Sequence, residues 1–196
     1  SDPDELPMDV AQELLTEDLR PIAGQCFMAL GGNHEGRIMR ETGLKVCPVE
    51  TVCKELGIHY AGNDGFLRLR VTAGKKQQSY DGYLHHGFGS AQTPGSKVNY
   101  LYRKIANLDV DFLAMGHVHD RFVAETVRQR LGDEGFTADC GGEFASVETV
   151  TRPMVFSGSY LKYERGSYAR AKGLPPTATG SVSLHFYTEK HSVHGR

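Results

Sequence analysis

The stretch Leu30-Gly31-Gly32-Asn33-His34-Glu35-Gly36-Arg37 ends an apolar run and begins a polar one. The apolar residues before it predict a buried strand over residues 25–30. Two glycines then end the strand and free the backbone for a tight turn that would carry Asn33, His34 and Glu35. Ligands of open α/β sheets bind at the C-terminal ends of strands. The stretch therefore predicts a functional site there, although an ordinary polar turn gives the same local pattern.

Two later stretches repeat this arrangement. Leu84-His85-His86-Gly87 follows a short apolar run, and Phe112-Leu113-Ala114-Met115 leads into Gly116-His117-Val118-His119. A single His-x-His is more often a coincidence than a site. The chain has only 9 histidines, however. Their concentration after three predicted strands favours one shared function.

These three groups of residues, in this order, resemble the third, fourth and fifth motifs of the calcineurin-like metallophosphoesterases. The resemblance covers residues 27 to 119, approximately. It implies an α/β sandwich with two central mixed sheets flanked by helices. It also implies hydrolysis of a phosphoester substrate by a phosphodiesterase or phosphatase that uses two divalent metal ions, Mn, Fe or Zn. Some nuclease-like members accept DNA ends, so nucleic acid is one substrate class to consider.

The resemblance also implies a role for each motif residue. Asn33, His85 and His117 would bind one metal ion, and His119 would bind the other. Either His85 or His86 can be aligned with the middle motif, and we favour His85 because it comes first after the strand. On an extended backbone, the imidazoles of His117 and His119 would share one face. All of these side chains are thus expected to converge on one metal centre.

Two further residues of the Asn33-His34-Glu35 stretch, the family's third motif, would act beside the metal ions. In the family, the histidine that follows the asparagine stands near the leaving group, so His34 is expected to protonate it as a general acid. Glu35 would orient His34 or a group that supports the metal ligands.

The family's first two motifs, Asp-x-His and Gly-Asp-x-x-Asp, are not found in this sequence. The simplest explanation is an N-terminally incomplete phosphoesterase domain that lacks its first βα units. The second is a catalytically impaired homologue that serves as a binding scaffold. In either case the chain retains most of one metal site and one ligand of the other, so we expect it to hold a single ion, weakly.

Composition limits the partners of the protein. Its 196 residues carry 22 Lys and Arg against 24 Asp and Glu, for a net charge of −2, which gives no overall case for nucleic-acid binding. No apolar run approaches the ~20 residues of a membrane helix. The four cysteines form no disulfide or zinc pattern. We expect buried, reduced thiols at Cys26 and Cys53, a cytoplasmic protein and no membrane contact; the oligomeric state stays open.

The hydrophobic pattern predicts one domain of alternating helices and strands. Helices are predicted at 10–19, 48–56 and 98–108, and strands at 25–30, 58–61, 66–71, 80–84 and 109–115, followed by strands near 121–127, 149–157 and 181–187. Loops are predicted at 75–78, 87–96 and 132–142. His191 and His194 lie in a polar stretch for which we predict no role.

Overall fold

The computed structural model describes residues 6–87, 93–137 and 143–196, and the fold is mixed α/β. Its α-helices are α1 (Met8–Leu19), α2 (Asn33–Thr42), α3 (Pro48–Leu56), α4 (Pro94–Ile105) and α5 (Tyr168–Ala171). Its strands are β1 (Asp64–Ala73), β2 (Lys76–His85), β3 (Phe112–Met115), β4 (Arg121–Thr137), β5 (Glu143–Ser157), β6 (Leu184–Tyr187) and β7 (Ser192–Gly195). No helix in the described ranges is long and apolar enough to cross a membrane.

Helix α3 forms where the sequence predicts it, whereas α4 spans Pro94–Ile105 instead of the predicted 98–108. Pro48 begins α3, and Gly57 follows its last residue with φ 70°, a left-handed conformation that favours glycine. Helix α4 begins after Thr93, whose side chain accepts a hydrogen bond from the Ser96 N–H at 3.3 Å. Of the predicted loop at 87–96, residues 88–92 lie outside the described ranges, and residues 94–96 form the first turn of α4 instead of a loop.

The buried strand predicted over residues 25–30 is wrong. A 3₁₀ helix, Arg20–Gln25, precedes an extended segment that forms one parallel bridge, between Ala29 and Tyr60. Phe27 is 69% exposed. The short strand predicted at 58–61 is likewise reduced to this bridge. The two segments pair with each other over too few residues to build a strand, although Ile58 is buried.

The chain divides into two compact units. The first falls within Ser1–Leu67 and Leu84–Gly89, and the second within Arg68–Tyr83 and Ser90–Arg196. The divisions fall inside β1 and β2.

The second unit is built on a mixed sheet. The five strands have the order β1-β2-β3-β5-β4. β3 and β5 are parallel, with Leu113 opposite Met154, whereas β4 and β5 are antiparallel from Arg121 and Ser157 to Thr137 and Glu143. β4 therefore continues through residues 132–137, where we predicted a loop. Its outer part is held by pairing with β5 rather than by a local apolar pattern. The rest of the predicted loop, residues 138–142, lies outside the described ranges.

Two apolar clusters pack on this sheet. One surrounds Leu113, Met154 and Phe156 and includes Leu101 of α4. The other joins Tyr80 and Phe112 to Val193 of β7 and to Phe186 of β6. Since Phe112 and Leu113 are neighbours in a strand, their side chains lie on opposite faces. The sheet is therefore covered by α4 on one face and by the two-stranded β6–β7 sheet on the other.

His191 has a structural role that we did not predict. Its Nε2 lies 2.9 Å from Asp111 Oδ1, and its ring stacks on Tyr80 with centroids 4.5 Å apart. Tyr80 donates a hydrogen bond to the Tyr187 carbonyl at 2.5 Å and accepts one from the Ser192 N–H at 3.2 Å. These contacts fasten β6 and β7 to the sheet, because they join Tyr80 and Asp111 to residues of the segment that contains both strands.

Candidate functional site

In the first unit, residues 59–63 lie against two motif segments. The Ala29 N–H donates to His59 O at 2.8 Å, and the Gly31 N–H donates to Gly62 O at 2.8 Å. The His86 N–H donates to Asn63 O, also at 2.8 Å. One stretch of backbone therefore holds the segments of the third and fourth motifs side by side.

Gly31 and Gly32 are needed because side chains approach their backbone closely. A Cβ at Gly31 would collide with the Tyr60 hydroxyl, and one at Gly32 would lie 2.6 Å from His86 Cε1. Gly32 has φ −115°, which any residue adopts. The second glycine is thus required for the space that the His86 ring occupies, and the tight turn that we predicted does not form.

Asn33 and His86 are in direct contact. Asn33 Oδ1 lies 3.0 Å from His86 Nε2, although 53 positions separate the residues in sequence. The distance suits a hydrogen bond from the imidazole N–H to the amide oxygen. It also fits two ligands of one cation, because bonds of about 2.1 Å at tetrahedral or right angles place their donor atoms about 3.0–3.4 Å apart.

His85 points to a different partner. Its Nδ1 accepts a hydrogen bond from the Gly87 N–H at 2.6 Å. A neutral imidazole that accepts at one nitrogen carries its proton on the other, which leaves no lone pair for a metal ion. Of the two histidines that align with the middle motif, His86 is therefore the one placed beside Asn33, whereas we had favoured His85.

Asn33, His34 and Glu35 form the first turn of α2 rather than a tight turn. Glu35 Oε2 accepts a hydrogen bond from the Gly32 N–H at 2.8 Å, which satisfies a donor that the helix leaves unpaired. The Glu35 carboxylate thus fixes the start of α2, where we expected it to orient His34. His34 is exposed on the same turn as Asn33.

The second unit contributes the His117-Val118-His119 turn. β3 ends at Met115, and His117 and His119 have φ values of 65° and 59°. The Val118 N–H donates to Gly116 O at 2.7 Å. We predicted an extended backbone here, with both imidazoles on one face. That prediction is wrong, because both residues adopt left-handed conformations that residues with a side chain seldom take.

Lys97 of α4 contacts this turn, a contact that we did not predict from the sequence. Its side chain is 4% exposed and forms an ion pair with Asp120. Lys97 Nζ also lies 3.5 Å from Val118 O. Lys97 sits one turn before Leu101, on the apolar side of the helix, and a lysine in that position was the available signal.

Three thiols and the Tyr60 phenol interact within the first unit. Burial, followed by the neighbouring Cys47 and Cys26 thiols, raises the pKa of Cys53. Burial and then a hydrogen bond with Cys47 raise the pKa of Tyr60. Cys47 and Cys53 are buried free thiols, whereas Cys26 is half-buried, so the burial predicted for Cys53 is confirmed and that for Cys26 is wrong. Tyr60 therefore meets the Gly31 backbone as a neutral phenol.

The structure brings together Asn33 and His86 in the first unit, and His117 and His119 in one turn of the second. Within the described residues, no group of three or more His, Cys, Asp or Glu side chains is arranged to hold a metal ion. Asn33 does not count toward such a group, because its side chain is an amide and not one of those four types. No family model, no curated protein and no solved structure matches the chain.

Proposed function

We propose that the protein is a metal-dependent phosphoester hydrolase of the calcineurin-like metallophosphoesterase type, acting as a phosphodiesterase or phosphatase. The observation that supports this most is the 3.0 Å contact between Asn33 Oδ1 and His86 Nε2. These residues come from two motifs of that family. Neither the composition nor the local sequence pattern requires these two side chains to be in contact.

The finer architecture belongs to the same proposal. A mixed sheet with α4 on one face is compatible with one half of an α/β sandwich of this type.

The proposed ligands are Asn33 and His86 in the first unit and His117 and His119 in the second. Amide oxygen and imidazole nitrogen suit Mn, Fe or Zn. A bound divalent ion would supply the positive charge that lowers the pKa of the attacking water. The chain's own contribution is to hold the Asn33 oxygen and the His86 nitrogen at a fixed separation.

His34 is the proposed general acid. It is exposed on the first turn of α2, next to Asn33, so solvent and substrate both reach it. A protonated imidazole there would give its proton to the leaving oxygen as the phosphorus–oxygen bond breaks. Glu35 supports this indirectly, since its carboxylate fixes the helix start that carries both residues.

The decisive experiment measures metal binding and hydrolysis in matched variants. We expect Mn²⁺ to bind the wild-type protein in calorimetric titration and to stimulate hydrolysis of bis-p-nitrophenyl phosphate. His86→Ala should weaken Mn²⁺ binding at least about tenfold, whereas His85→Ala should retain it. Equal losses in both variants would contradict the assignment, and no binding of Mn²⁺, Fe²⁺ or Zn²⁺ by wild type would overturn the function.

A binding scaffold without turnover is the competing function. It is favoured by one observation, that no group of three or more His, Cys, Asp or Glu side chains among the described residues is arranged to hold a metal ion. The scaffold predicts metal binding without hydrolysis. The same titration and assay separate the two proposals.

A further inference from the structure

We propose that Lys97 is a positioning residue for the His117-Val118-His119 turn, which it holds through its buried ion pair with Asp120. This inference rests on the proposed function, because it gives the turn a ligand role. Lys97 itself touches neither metal nor substrate in the proposal. It acts through the Val118 carbonyl before His119 and the Asp120 carboxylate after it.

The contacts of Lys97 bracket His119. Its ammonium group lies 3.5 Å from the carbonyl oxygen of Val118, the residue before His119, and pairs with the carboxylate of Asp120, the residue after it. The Lys97 side chain is 4% exposed and that of Asp120 22% exposed. An ion pair so sheltered from water is not weakened by solvent in the way that surface pairs are.

The turn needs such support because its backbone is strained. His117 and His119 both have positive φ values, of 65° and 59°. Side chains make the left-handed region unfavourable, so such conformations persist only where surrounding contacts enforce them. The Val118 N–H to Gly116 O hydrogen bond, at 2.7 Å, is local and closes only part of the turn. Lys97 supplies a contact from another element.

A buried lysine is also a costly choice for an apolar helix face. Lys97 lies one turn before Leu101, which is 1% exposed in the core. A well-packed apolar residue would often stabilise such a position at least as well as an ion pair. The charge is therefore better explained by the geometry that it imposes on the turn than by stability.

The test uses Lys97→Met, which keeps the length of the side chain and removes its charge. Asp120→Asn is a second variant that breaks the same pair from the loop, in case Lys97→Met does not fold. Lys104→Met is the matched control, because Lys104 is an exposed lysine of the same helix. Each full-length protein is examined by heteronuclear NMR for the backbone carbon shifts of His117 and His119, and by Mn²⁺ titration.

We expect Lys97→Met or Asp120→Asn to move or broaden the His117 and His119 signals and to weaken Mn²⁺ binding about tenfold, while Lys104→Met changes neither. A lysine with a purely stabilising role would lower the melting temperature but leave the histidine shifts and Mn²⁺ affinity of the folded protein unchanged. That result would overturn the proposal. If wild type binds no metal, the proposed function fails, and the histidine shifts alone decide the role of Lys97.

Discussion

At the scale of the residue, a single methyl group at Gly32 would disturb the candidate site. An added Cβ would lie 2.6 Å from His86 Cε1 and 2.8 Å from Glu35 Oε2. We expect Gly32→Ala to destabilise the protein by about 1–3 kcal/mol. It should also weaken Mn²⁺ binding, because the His86 ring must move away from Asn33. Denaturant unfolding and Mn²⁺ titration measure the two effects.

Gly36→Ala is the matched control within the same helix. The nearest heavy atom to a Cβ at Gly36 is Arg40 Nη1 at 3.7 Å, an ordinary contact. Because alanine favours helix more than glycine does, this variant should gain about 0.5–1 kcal/mol. A Gly32→Ala protein with wild-type stability and Mn²⁺ affinity would show that His86 is not where we place it.

The cysteines provide a second prediction at this scale. Burial raises the pKa of Cys53, so less of the reactive thiolate is present at any given pH. Cys26 is only half-buried. We expect iodoacetamide at pH 8 to modify Cys26 much faster than Cys53, as measured by mass spectrometry of tryptic peptides. In denaturant the two rates should converge, and equal rates in the native protein would contradict the assigned burial.

At the scale of the element, Tyr80 fastens the β6–β7 sheet. Its hydroxyl contacts the Tyr187 carbonyl at 2.5 Å and the Ser192 N–H at 3.2 Å. Tyr80→Phe leaves both backbone groups without this partner, so we expect a loss of about 1–3 kcal/mol. Faster amide hydrogen exchange in residues 184–195 should accompany it.

Tyr160→Phe is the control for that loss. The Tyr160 side chain is 76% exposed, and its hydroxyl lies 3.4 Å from Ser181 Oγ. Substitutions at such surface positions usually change stability by less than about 0.5 kcal/mol. Similar effects of the two variants would argue against a fastening role for Tyr80.

Local signals explain which elements the sequence predicts. Helix α3 is predictable because Pro48 and Gly57 set its ends by their own backbone preferences. The alternation of β1, with Leu67, Leu69 and Val71 on its less exposed face, is equally local. The outer part of β4 is not predictable in this way, because its pairing with β5 is a property of two strands together.

The candidate site likewise has features that the sequence predicts and features that it does not. The family motifs led us to expect that Asn33 would meet the middle-motif histidines, and the structure places it beside His86. Neither the positive φ values of His117 and His119 nor the contact with Lys97 could be predicted. A backbone conformation that its own side chains disfavour depends on contacts from elsewhere in the chain.

At the scale of the whole molecule, charge bears on the substrate. The chain has a net charge of −2, whereas residues 160–172 carry four basic side chains and one acidic one. We expect bis-p-nitrophenyl phosphate hydrolysis to change less than about twofold between 50 and 200 mM NaCl, because a substrate with one phosphate releases few counterions.

A DNA substrate would behave differently. If the protein contacts several phosphates of a DNA strand, raising NaCl over the same range would lower its affinity for DNA by orders of magnitude. Steep salt dependence with a DNA oligonucleotide, reduced by Lys162→Ala and Arg165→Ala, would identify a nuclease. Equal, shallow salt dependence for both substrates would argue that DNA is not a substrate of the protein.

The fastening of β6 and β7 to Tyr80 also has a consequence for biosynthesis. The Tyr80 hydroxyl and the Tyr187 carbonyl are separated by 107 residues. At ordinary rates of translation, β2 leaves the ribosome about 5–20 s before the hairpin that covers it is made. During that interval the Tyr80 and Phe112 side of the nascent sheet is open to chaperones and to other unfinished chains.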